Sequence, residues 1–360
     1  MAFYDDLLQV PPYLLRHEDK QALIMKRLAA LTRHHYAHCE PYRRILDAQG
    51  TIIDAIHSVE DIPFLPVALF KEHDLLSVSS EQVIKTMTSS GTTGQAVSRI
   101  QLDKVTATNQ QKTLVKIVSD FTGPARMPLL IIDSPSVMKN RNLFSARGAG
   151  ILGFSIFGAD KAYALDENMS LDMAAIDTFL EKHHGRPILM FGFTFMVWQH
   201  FYKQLLSVKN KPDLSRSILI HGGGWKKLQS EAVSPADFAR ALQRVCGVTR
   251  VSDYYGMVEQ TGCIYMQCEA GHLHASVFSD VFIRDHRDFS LCAEGQPGII
   301  QVLSLIPESY PGHSLLTEDE GVLLGEDDCP CGRMGKYFKV LGRLPHAELR
   351  GCSDTYATQF

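Results

Sequence analysis

The stretch SILIHGGGWKK, residues 217–227, joins a short apolar run to three consecutive glycines and is the strongest guide to the fold. Three other runs have the same character: MPLLIID at 127–133, RPILMFG at 186–192 and RVSDYYG at 250–256. Such runs are typical of strands buried on both faces, as in parallel sheets. Several of them end in glycine, and ligands of open α/β sheets bind at the carboxyl ends of the strands. We therefore predict a buried sheet with a ligand site along one edge.

Helical patterns alternate with these runs and predict helices near residues 103–119, 170–184, 194–207 and 234–246. In the last of them, Ser234 is a candidate N-cap and Pro235 occupies the first helical position. Phe238, Leu242 and Val245 then fall on one face. Strands that alternate with helices favour crossover units and a mainly parallel sheet.

The N-terminal part of the chain predicts one long helix and an extended connector. Ile24, Leu28 and Leu31 are four and three residues apart, as expected for an amphipathic helix over 18–39. The segment IPFLPVALF (62–70) contains two prolines, so we expect an extended, docked segment there rather than a helix.

The pattern changes after residue 270, where helical periodicity nearly disappears. VFIRD (281–285), GIIQVLSL (298–305) and YFKVLGR (337–343) predict strands of a smaller β-rich region. We therefore divide the chain into an N-terminal helical segment, an α/β core, a β-rich subdomain and a mobile tail, with bounds 1–60, 61–265, 266–345 and 346–360.

The composition excludes several classes of protein. Among 360 residues, 36 are Lys or Arg and 40 are Asp or Glu, which gives a formal net charge of −4. This balance supplies no basic surface for a nucleic acid and no polybasic patch for a membrane. The longest uncharged apolar stretches, near 148–159 and 187–198, are too short to span a bilayer. We expect neither a nucleic-acid partner nor membrane insertion.

The N-terminal residues and the cysteines indicate a cytoplasmic protein. The first ten residues, MAFYDDLLQV, are acidic and lack the regions of a signal peptide. Eight irregularly spaced cysteines are too few for a disulfide scaffold. We expect reduced thiols that are free to bind metal or to react.

The run TSSGTTGQ (88–95) is a candidate phosphate loop. Its small residues give a flexible backbone whose N–H groups and hydroxyls can wrap a polyphosphate. A polar surface loop is the alternative. The Lys-Ser/Thr pair of a Walker-type loop is missing, because Gln95, Ala96 and Val97 follow the last glycine.

Further motifs follow in order along the chain. HGGGWKK (221–227) places bare backbone just beyond a strand, where it can approach a flat ring. DYYGMVEQ (253–260) sets two tyrosines beside a glycine, with Glu259 close behind. TEDEG (317–321) and LGR (341–343) lie in the β-rich region.

The ordered series SSGTTG, GGGW, YYGMVE, an Asp before Gly, and Gly-Arg resembles the adenylate-forming superfamily of acyl-CoA synthetases over roughly residues 60–345. HHYAHCEPY, IPFLPVALFK, HGGGWK and the closing ELRGCS are similar to a narrower family, the acyl-protein synthetases. These activate fatty acids in the bacterial luminescence fatty-acid reductase complex, and they have non-luminescent relatives. The resemblance implies an α/β fold of the adenylate-forming large-domain type, with mainly parallel sheets, flanking helices and a smaller β-rich C-terminal region.

The resemblance also implies an activity and a site. The chain would join a fatty acid to AMP, using ATP and Mg²⁺ and releasing pyrophosphate. The residues implied at the ATP phosphates are Ser89, Ser90, Gly91, Thr92, Thr93 and Gly94. Those implied at the adenine are Gly222, Gly223, Gly224, Tyr255 and Gly256, with Tyr255 stacked on the ring. Glu259 would help to hold Mg²⁺, Asp319 would bind the ribose hydroxyls, and Arg343 would lie near the ribose and phosphate.

The sequence departs from the superfamily at three places. Val97 stands where the phosphate loop usually closes with a basic residue, and Glu318 replaces the glycine of Thr-Gly-Asp. Superfamily members normally carry a further domain, with a lysine that clamps the carboxylate and α-phosphate, but here no lysine follows Lys339. The candidates to replace that lysine are Lys226, Lys227 and Arg350.

Cys352 is a candidate acyl acceptor on the tail. A thiol beside Gly351 could reach an acyl-adenylate and take the acyl group as a thioester. Holding the thiol on the same chain raises its effective concentration, and His346 or Arg350 could promote its ionisation. An incidental cysteine is the alternative. We expect the thioester to pass to an acyl-CoA-reductase-like partner.

Two close pairs, Cys268-x3-His272 and Cys329-x-Cys331, supply the four ligands of a closed zinc site. CPCGR before the Gly-Arg motif also resembles a pattern in the phenylacetate-CoA ligase branch. We predict a structural Zn²⁺, with His274 as the alternative to His272 and Cys263 as the alternative to Cys268. Thiols without metal are the other interpretation.

Two rival functions remain at this point. A CoA ligase of the phenylacetate type would release acyl-CoA and would not need Cys352. A catalytically silent scaffold would bind nucleotide without turnover.

Overall fold

The computed structural model describes residues 2–89, 97–139 and 146–344, which form two compact units. Among these residues, the first unit comprises 2–89, 97–120 and 256–344, and the second comprises 121–139 and 146–255. The first unit thus joins the N-terminal part of the chain to its C-terminal part. The boundaries proposed from the sequence instead follow the order of the chain, at residues 60, 265 and 345.

The α-helices, numbered in chain order, are α1 (Ala2–Leu7), α2 (His17–His38), α3 (Glu40–Ala48), α4 (Leu69–Glu72), α5 (Lys104–Thr122), α6 (Ser136–Lys139), α7 (Ala146–Phe154), α8 (Met173–Lys182), α9 (Thr194–Met196), α10 (Lys203–Ser207) and α11 (Pro235–Cys246). A π-helical turn at Val197–Tyr202 connects α9 to α10 without a break. Within the described ranges, none of these helices has both the length and the apolar composition needed to cross a bilayer.

The strands are β1 (Leu65–Pro66), β2 (Val83–Thr88), β3 (Arg99–Asp103), β4 (Met127–Ile131), β5 (Gly158–Tyr163), β6 (Ile188–Phe193), β7 (Ser217–Gly222), β8 (Arg250–Tyr255), β9 (Tyr265–Gln267), β10 (Leu273–His274), β11 (Ser279–Arg284), β12 (Pro297–Ser304), β13 (Ser314–Glu326) and β14 (Lys336–Arg343).

The second unit is built on a parallel sheet with the strand order β8-β7-β6-β4-β5. The strands predicted from the four apolar runs are confirmed as β4, β6, β7 and β8. The prediction that all four are buried is wrong for β8, where Arg250 is exposed and the other residues are half-buried. Every residue of β4, β6 and β7 is buried, which explains why their sequences are continuous apolar runs. At the carboxyl edge, Gly222 pairs with Phe193 on one side and with Tyr254 on the other.

Helix α11 shows how the predicted helices form in this unit. The Ser234 hydroxyl accepts a hydrogen bond from a backbone N–H of the first turn, and Pro235 starts the helix. Gly247 ends it in the left-handed region, with φ of +78°. Phe238 and Leu242 are buried in the core with the strands and with the helix that contains the π turn.

The first unit contains an antiparallel sheet with the strand order β11-β12-β13-β14-β10-β9. The β-rich region predicted after residue 270 is confirmed, and its three predicted strands lie in β11, β12 and β14. The TEDEG motif lies within the long strand β13. Strands β2 and β3 form a separate antiparallel hairpin.

The predicted N-terminal helix is confirmed as α2, and it packs in the first unit. Ile24, Leu28 and Leu31 are fully buried, as the periodicity predicts. Two basic side chains attach the helix to the β-rich region: Lys20 donates to the carbonyl of Ala275 at 3.1 Å, and Arg27 donates to a carbonyl after β12.

The proline-containing connector is extended only in part. Leu65 and Pro66 form β1, which pairs in parallel with Leu315 and Leu316 of β13. The expectation of extended chain through residue 70 is wrong, because the short helix α4 begins at Leu69. Pro66 is the last proline of the segment, so backbone N–H groups for a helical turn become available beyond it.

Candidate functional site

Gly222, the last residue of β7, and the two glycines after it form a turn that favours glycine at all three positions. Gly223 and Gly224 have φ of +80° and +69°, in the left-handed region. A Cβ atom on Gly222 would lie 2.5 Å from the Tyr254 ring, and one on Gly223 would lie 2.6 Å from the Phe193 ring. A Cβ atom on Gly224 would meet no atom of the described chain within 4 Å. The turn therefore packs between two aromatic rings and presents bare backbone at Gly224.

The two tyrosines of DYYG end β8 with different surroundings. The Tyr254 ring lies beside Gly222, and its centroid is 5.3 Å from that of Phe154. Successive side chains of a strand point to opposite faces, so Tyr255 faces away from this aromatic contact. Both tyrosines are half-buried, and Gly256 follows directly in the chain.

A chain of hydrogen bonds supports the glycine turn. The Thr194 hydroxyl donates to the carbonyl of Gly222 at 3.1 Å, and its oxygen lies 2.9 Å from His221 Nδ1. Asp253 Oδ1 lies 3.5 Å from the same nitrogen. Burial lowers the pKa of His221 to about 3, so its ring is neutral near pH 7. Desolvation raises the pKa of Asp253 to about 7, although 38% of its side chain is exposed.

Asp319 and Arg343 lie together in the first unit because β13 and β14 pair them in register. Arg343 Nε is 3.6 Å from Asp319 Oδ1, and Arg343 Nη2 donates to Glu318 Oε2 at 3.1 Å. The residue that replaces the glycine of Thr-Gly-Asp is therefore an ion-pair partner of the arginine. The Thr317 hydroxyl donates to the carbonyl of Ile300 and accepts from the backbone N–H of Asp319. These contacts fix the motif within a strand.

Glu259 lies in the 3₁₀ turn Val258–Gln260 of the first unit and is buried. The Tyr310 hydroxyl donates to its carbonyl at 2.8 Å. A Cβ atom on Gly312 would lie 2.9 Å from the same carbonyl oxygen, so the turn is tightly packed. A carboxylate at this depth needs hydrogen-bond donors or a cation.

Ser89 lies at the end of β2, where it pairs with Ser98. Its backbone N–H donates to the carbonyl of Ser98 at 3.0 Å, and its hydroxyl accepts from the backbone N–H of Ser98 at 2.9 Å. Other predicted site residues lie outside the described residues: Ser90, Gly91, Thr92, Thr93, Gly94 and Cys352.

Four predicted or alternative metal ligands converge in the first unit. The ligand atoms of Cys268, His274, Cys329 and Cys331 all lie within 4.8 Å of one another. The Sγ atoms of Cys268 and Cys329 are 3.8 Å apart, and Cys331 Sγ is 3.4 Å from His274 Nε2. Tetrahedral Zn²⁺ with Zn–S bonds of about 2.3 Å separates two sulfurs by roughly 3.8 Å. The distances and the S₃N donor set both fit zinc.

The histidine in this group is His274, the alternative, rather than His272. His272 is half-buried, with Nδ1 3.3 Å from Cys329 Sγ. His274 is fully buried, and burial lowers its pKa to about 4, which keeps the imidazole neutral as a metal ligand requires. Cys263, the alternative to Cys268, instead donates to the carbonyl of Phe278.

Two turns, which begin at Cys268 and at Cys329, form the cysteine turns, and each ends at a glycine in the left-handed region. Gly271 and Gly332 have φ of +82° and +81° and donate to the carbonyls of Cys268 and Cys329. The backbone N–H of Arg333 donates to Cys331 Sγ at 3.4 Å. Burial opposes ionisation of Cys331, but this N–H and the neighbouring thiols outweigh it and lower its pKa. The turn therefore favours a thiolate.

The sequence does not single out Thr194 as a site residue. It shows His221 and Asp253 only as parts of motifs, and Glu318 only as a departure from Thr-Gly-Asp. Asp253 could have been found, because parallel strands that end in HGG and DYY place it beside His221. Thr194 and Glu318 take part through hydrogen bonds to residues distant in sequence, which form only in the folded chain.

Comparisons with known proteins concern the family and the fold of the chain. Residues 2–360 match the family model described as "Acyl-protein synthetase, LuxE". Two relatives named long-chain-fatty-acid–luciferin-component ligase, from Aliivibrio fischeri and Vibrio harveyi, are each 22% identical to this chain. Their alignments cover 98% and 99% of this chain, respectively, and 93% of each relative.

A solved structure of 2-hydroxyisobutyryl-CoA ligase, in complex with 2-HIB-AMP, is also similar, with a TM-score of 0.71 and 15% identity. The match covers 92% of this chain and 69% of that chain. At this level of identity the likeness concerns the fold alone, and it confirms the predicted α/β fold of the adenylate-forming type.

Proposed function

Because the chain belongs to the acyl-protein synthetase family, we propose that it is an ATP-dependent ligase that activates a fatty acid to acyl-AMP and transfers the acyl group to Cys352. The observation that carries the proposal is the family match over residues 2–360. Two relatives that align with nearly the whole chain are named as ligases of long-chain fatty acids, which supports a fatty acid as the substrate.

In the proposed first step, a carboxylate oxygen of the fatty acid attacks the α-phosphorus of ATP, and the bond between the α- and β-phosphates breaks. The glycine turn supports a role in adenine binding, because Gly224 leaves its backbone open to a flat ring. We assign the stacking position to Tyr255, followed by Gly256, and the phosphate contacts to Ser89, Ser90, Gly91, Thr92, Thr93 and Gly94. Glu259 would hold Mg²⁺, which neutralises the departing pyrophosphate.

The paired Asp319 and Arg343 are assigned to the ribose and phosphate. Ribose hydroxyls are donors that a carboxylate accepts, and a guanidinium binds phosphate oxygens. Their mutual contact at 3.6 Å, with Glu318 as a further partner, holds both side chains in place before a nucleotide arrives. This preorganisation lowers the entropy lost on binding.

In the second step, the thiolate of Cys352 attacks the acyl carbonyl, the bond from the carbonyl carbon to the AMP oxygen breaks, and AMP leaves. The thiol proton goes to a nearby base, for which His346 is the candidate. We propose that the thioester passes to an acyl-CoA-reductase-like partner. We place the reaction in the cytoplasm, where thiols stay reduced, and the seven cysteines in the described ranges are free.

Exchange of labelled pyrophosphate into ATP tests the adenylation step. We expect exchange that requires Mg²⁺ and a fatty acid, and a panel of chain lengths identifies the preferred acid. Absence of exchange with every acid would instead support the nucleotide-binding scaffold. Release of acyl-CoA on addition of CoA, with an unchanged rate for Cys352→Ser, would support the phenylacetate-type ligase.

We also propose that Cys268, His274, Cys329 and Cys331 hold a structural Zn²⁺ that fastens the cysteine turns of the first unit. The geometric fit of the four ligand atoms supports this assignment. Elemental analysis of purified protein should give one zinc per chain. His274→Ala should lose the metal, whereas the matched control His272→Ala should retain it. Clearly less than one zinc per wild-type chain would contradict the assignment.

A further inference from the structure

The orientation of the glycine turn is set by buried side chains that do not belong to it. Thr194 begins α9 directly after β6, and His221 precedes Gly222 in β7. Thr194 and His221 are 4% and 6% exposed. Their polar atoms lie at the carboxyl edge of the sheet, immediately before the left-handed glycines.

The direction of the hydrogen bonds follows from proton counting. A threonine hydroxyl has one proton, and Thr194 donates it to the carbonyl of Gly222. The Nδ1 atom of His221, 2.9 Å from the hydroxyl oxygen, must therefore be the donor in the second bond. Asp253 Oδ1 lies 3.5 Å from Nδ1 and favours the proton on that nitrogen. Asp253 is itself fixed, since Oδ1 accepts from the backbone N–H of Tyr254 at 2.8 Å.

This chain of bonds controls where the turn presents its donors. In a trans peptide the carbonyl of Gly222 and the N–H of Gly223 point in opposite directions. Fixing the carbonyl on Thr194 therefore fixes the next N–H on the other side. The two left-handed glycines that follow carry no Cβ of their own, and this peptide plane sets the direction in which their turn begins.

We propose that Thr194 and His221, supported by Asp253, are positioning residues for the nucleotide, because they hold the Gly222–Gly224 turn in the orientation that receives the adenine. This inference rests on the proposed function and deepens it. None of the three side chains needs to touch the nucleotide. Their effect should fall on ATP binding, with little effect on binding of the acid.

The test uses Thr194→Val, which keeps the shape of the side chain and removes the hydroxyl. Loss of the hydroxyl removes the Thr194 donor from the carbonyl of Gly222 and one acceptor from the imidazole N–H of His221, so we expect Kd and KM for ATP to rise about ten-fold. The KM for the fatty acid should stay within about two-fold, since the proposed role of the hydroxyl is to orient the glycine turn. Thr194→Ser restores the hydroxyl and should restore the affinity.

Two further variants complete the design. His221→Asn places an amide donor near the position of Nδ1 and should keep most of the affinity that His221→Leu loses. Thr178→Val is the matched control, because the Thr178 hydroxyl is exposed and donates only to the carbonyl of Ala174 in its own helix. The melting temperature of each variant shows whether weaker ATP binding comes from a misoriented glycine turn or from loss of the fold.

The outcomes separate this inference from the proposed function. Unchanged ATP affinity in Thr194→Val, or equal changes for ATP and acid that Thr194→Ser does not reverse, overturns the inference alone. Weakened ATP binding in Thr194→Val, with no pyrophosphate exchange in the wild type, supports the inference and overturns the proposed ligase. A wild type that neither binds ATP nor catalyses exchange overturns both.

Discussion

In the second unit the candidate site residues end neighbouring parallel strands, whereas in the first unit they come from segments far apart in the chain. His221 and Asp253 are register partners of β7 and β8. Cys268 and Cys329, by contrast, are 61 positions apart and meet only after the antiparallel sheet has formed. Strand register within one sheet therefore brings the site residues of the second unit together, whereas pairing of distant segments brings those of the first unit together.

Because of this difference, we expect substitutions in the two units to have different effects. In the second unit, a changed side chain alters the orientation of one turn on an already buried sheet. In the first unit, the polar clusters themselves connect distant segments: Lys20 of α2, for example, contacts both Ala275 and Asp280 of the β-rich region. We therefore expect substitutions in these connecting clusters of the first unit to act mainly on stability.

The largest effect should follow removal of metal from the Cys268, His274, Cys329 and Cys331 cluster. Structural zinc contributes folding free energy directly, so we expect the melting temperature to fall by more than about 10 °C. Calorimetry before and after treatment with a strong chelator measures the change, and added Zn²⁺ should reverse it. Cys329→Ser should behave like the chelated protein, whereas Cys292→Ser should not. An unchanged melting transition in protein shown to be metal-free would contradict the structural role of zinc.

The next largest effect should come from the buried ion cluster of the first unit. Asp280 lies between two lysines, with Oδ2 2.9 Å from Lys336 Nζ and Oδ1 3.8 Å from Lys20 Nζ, and all three are buried. Asp280→Asn removes the charge that compensates both lysines and should lower the free energy of unfolding by about 3–5 kcal/mol. Urea denaturation measures this loss. Adding Lys20→Met should recover part of it, and a loss below about 1 kcal/mol would show that the carboxylate of Asp280 does not hold the cluster together.

The glycine turn should give a smaller and graded effect. Gly223→Ala combines left-handed strain with a contact 2.6 Å from the Phe193 ring, so we expect roughly 2–4 kcal/mol of destabilisation. Gly224→Ala carries the strain without the contact and should cost about 1 kcal/mol. Equal losses in urea denaturation would mean that Phe193 moves aside, and that packing does not fix the turn.

The smallest expected effect is on the pH dependence of the free energy of unfolding. Burial lowers the pKa of His313 to about 3 and that of His35 well below its ordinary value, and the two rings stack at 5.0 Å near His34 and Arg27. The unfolded chain binds these protons near pH 6.5 and the folded chain does not. The part of the folding free energy that depends on these neutral histidines is therefore fully present above about pH 6.5, and it decreases as the pH is lowered. His313→Gln should reduce that slope by up to about 1.4 kcal/mol per pH unit in urea titrations at pH 7, 6 and 5. An unchanged slope would mean that His313 is not the group that titrates.

Much of the second unit could be predicted because its signals are local. Continuous apolar runs identified β4, β6, β7 and β8, and the capping residues Ser234 and Pro235 identified α11. Strand β5 and helix α7 were missed, because the apolar stretch near 148–159 contains the end of the helix, a 3₁₀ turn and the start of the strand without a boundary signal.

The first unit was less predictable because its elements depend on partners distant in sequence. The motif TEDEG carries three acidic residues and was interpreted only as a ligand motif, yet it lies inside β13, where pairing with β12 and β14 overrides its low strand propensity. The choice between His272 and His274 could not be made from spacing. Strand β10 buries His274, whose ligand atom lies within 4.8 Å of those of the three cysteines, whereas His272 precedes the strand and is half-buried.

The capture of the acyl group by Cys352 is the central claim, and intact-mass analysis tests it most directly. After incubation with ATP, Mg²⁺ and the preferred fatty acid, the chain should gain the mass of one acyl group, which hydroxylamine removes. Cys352→Ser should catalyse pyrophosphate exchange without gaining this mass, and Cys292→Ser should behave like the wild type. A hydroxylamine-labile adduct that persists in Cys352→Ser would contradict the account.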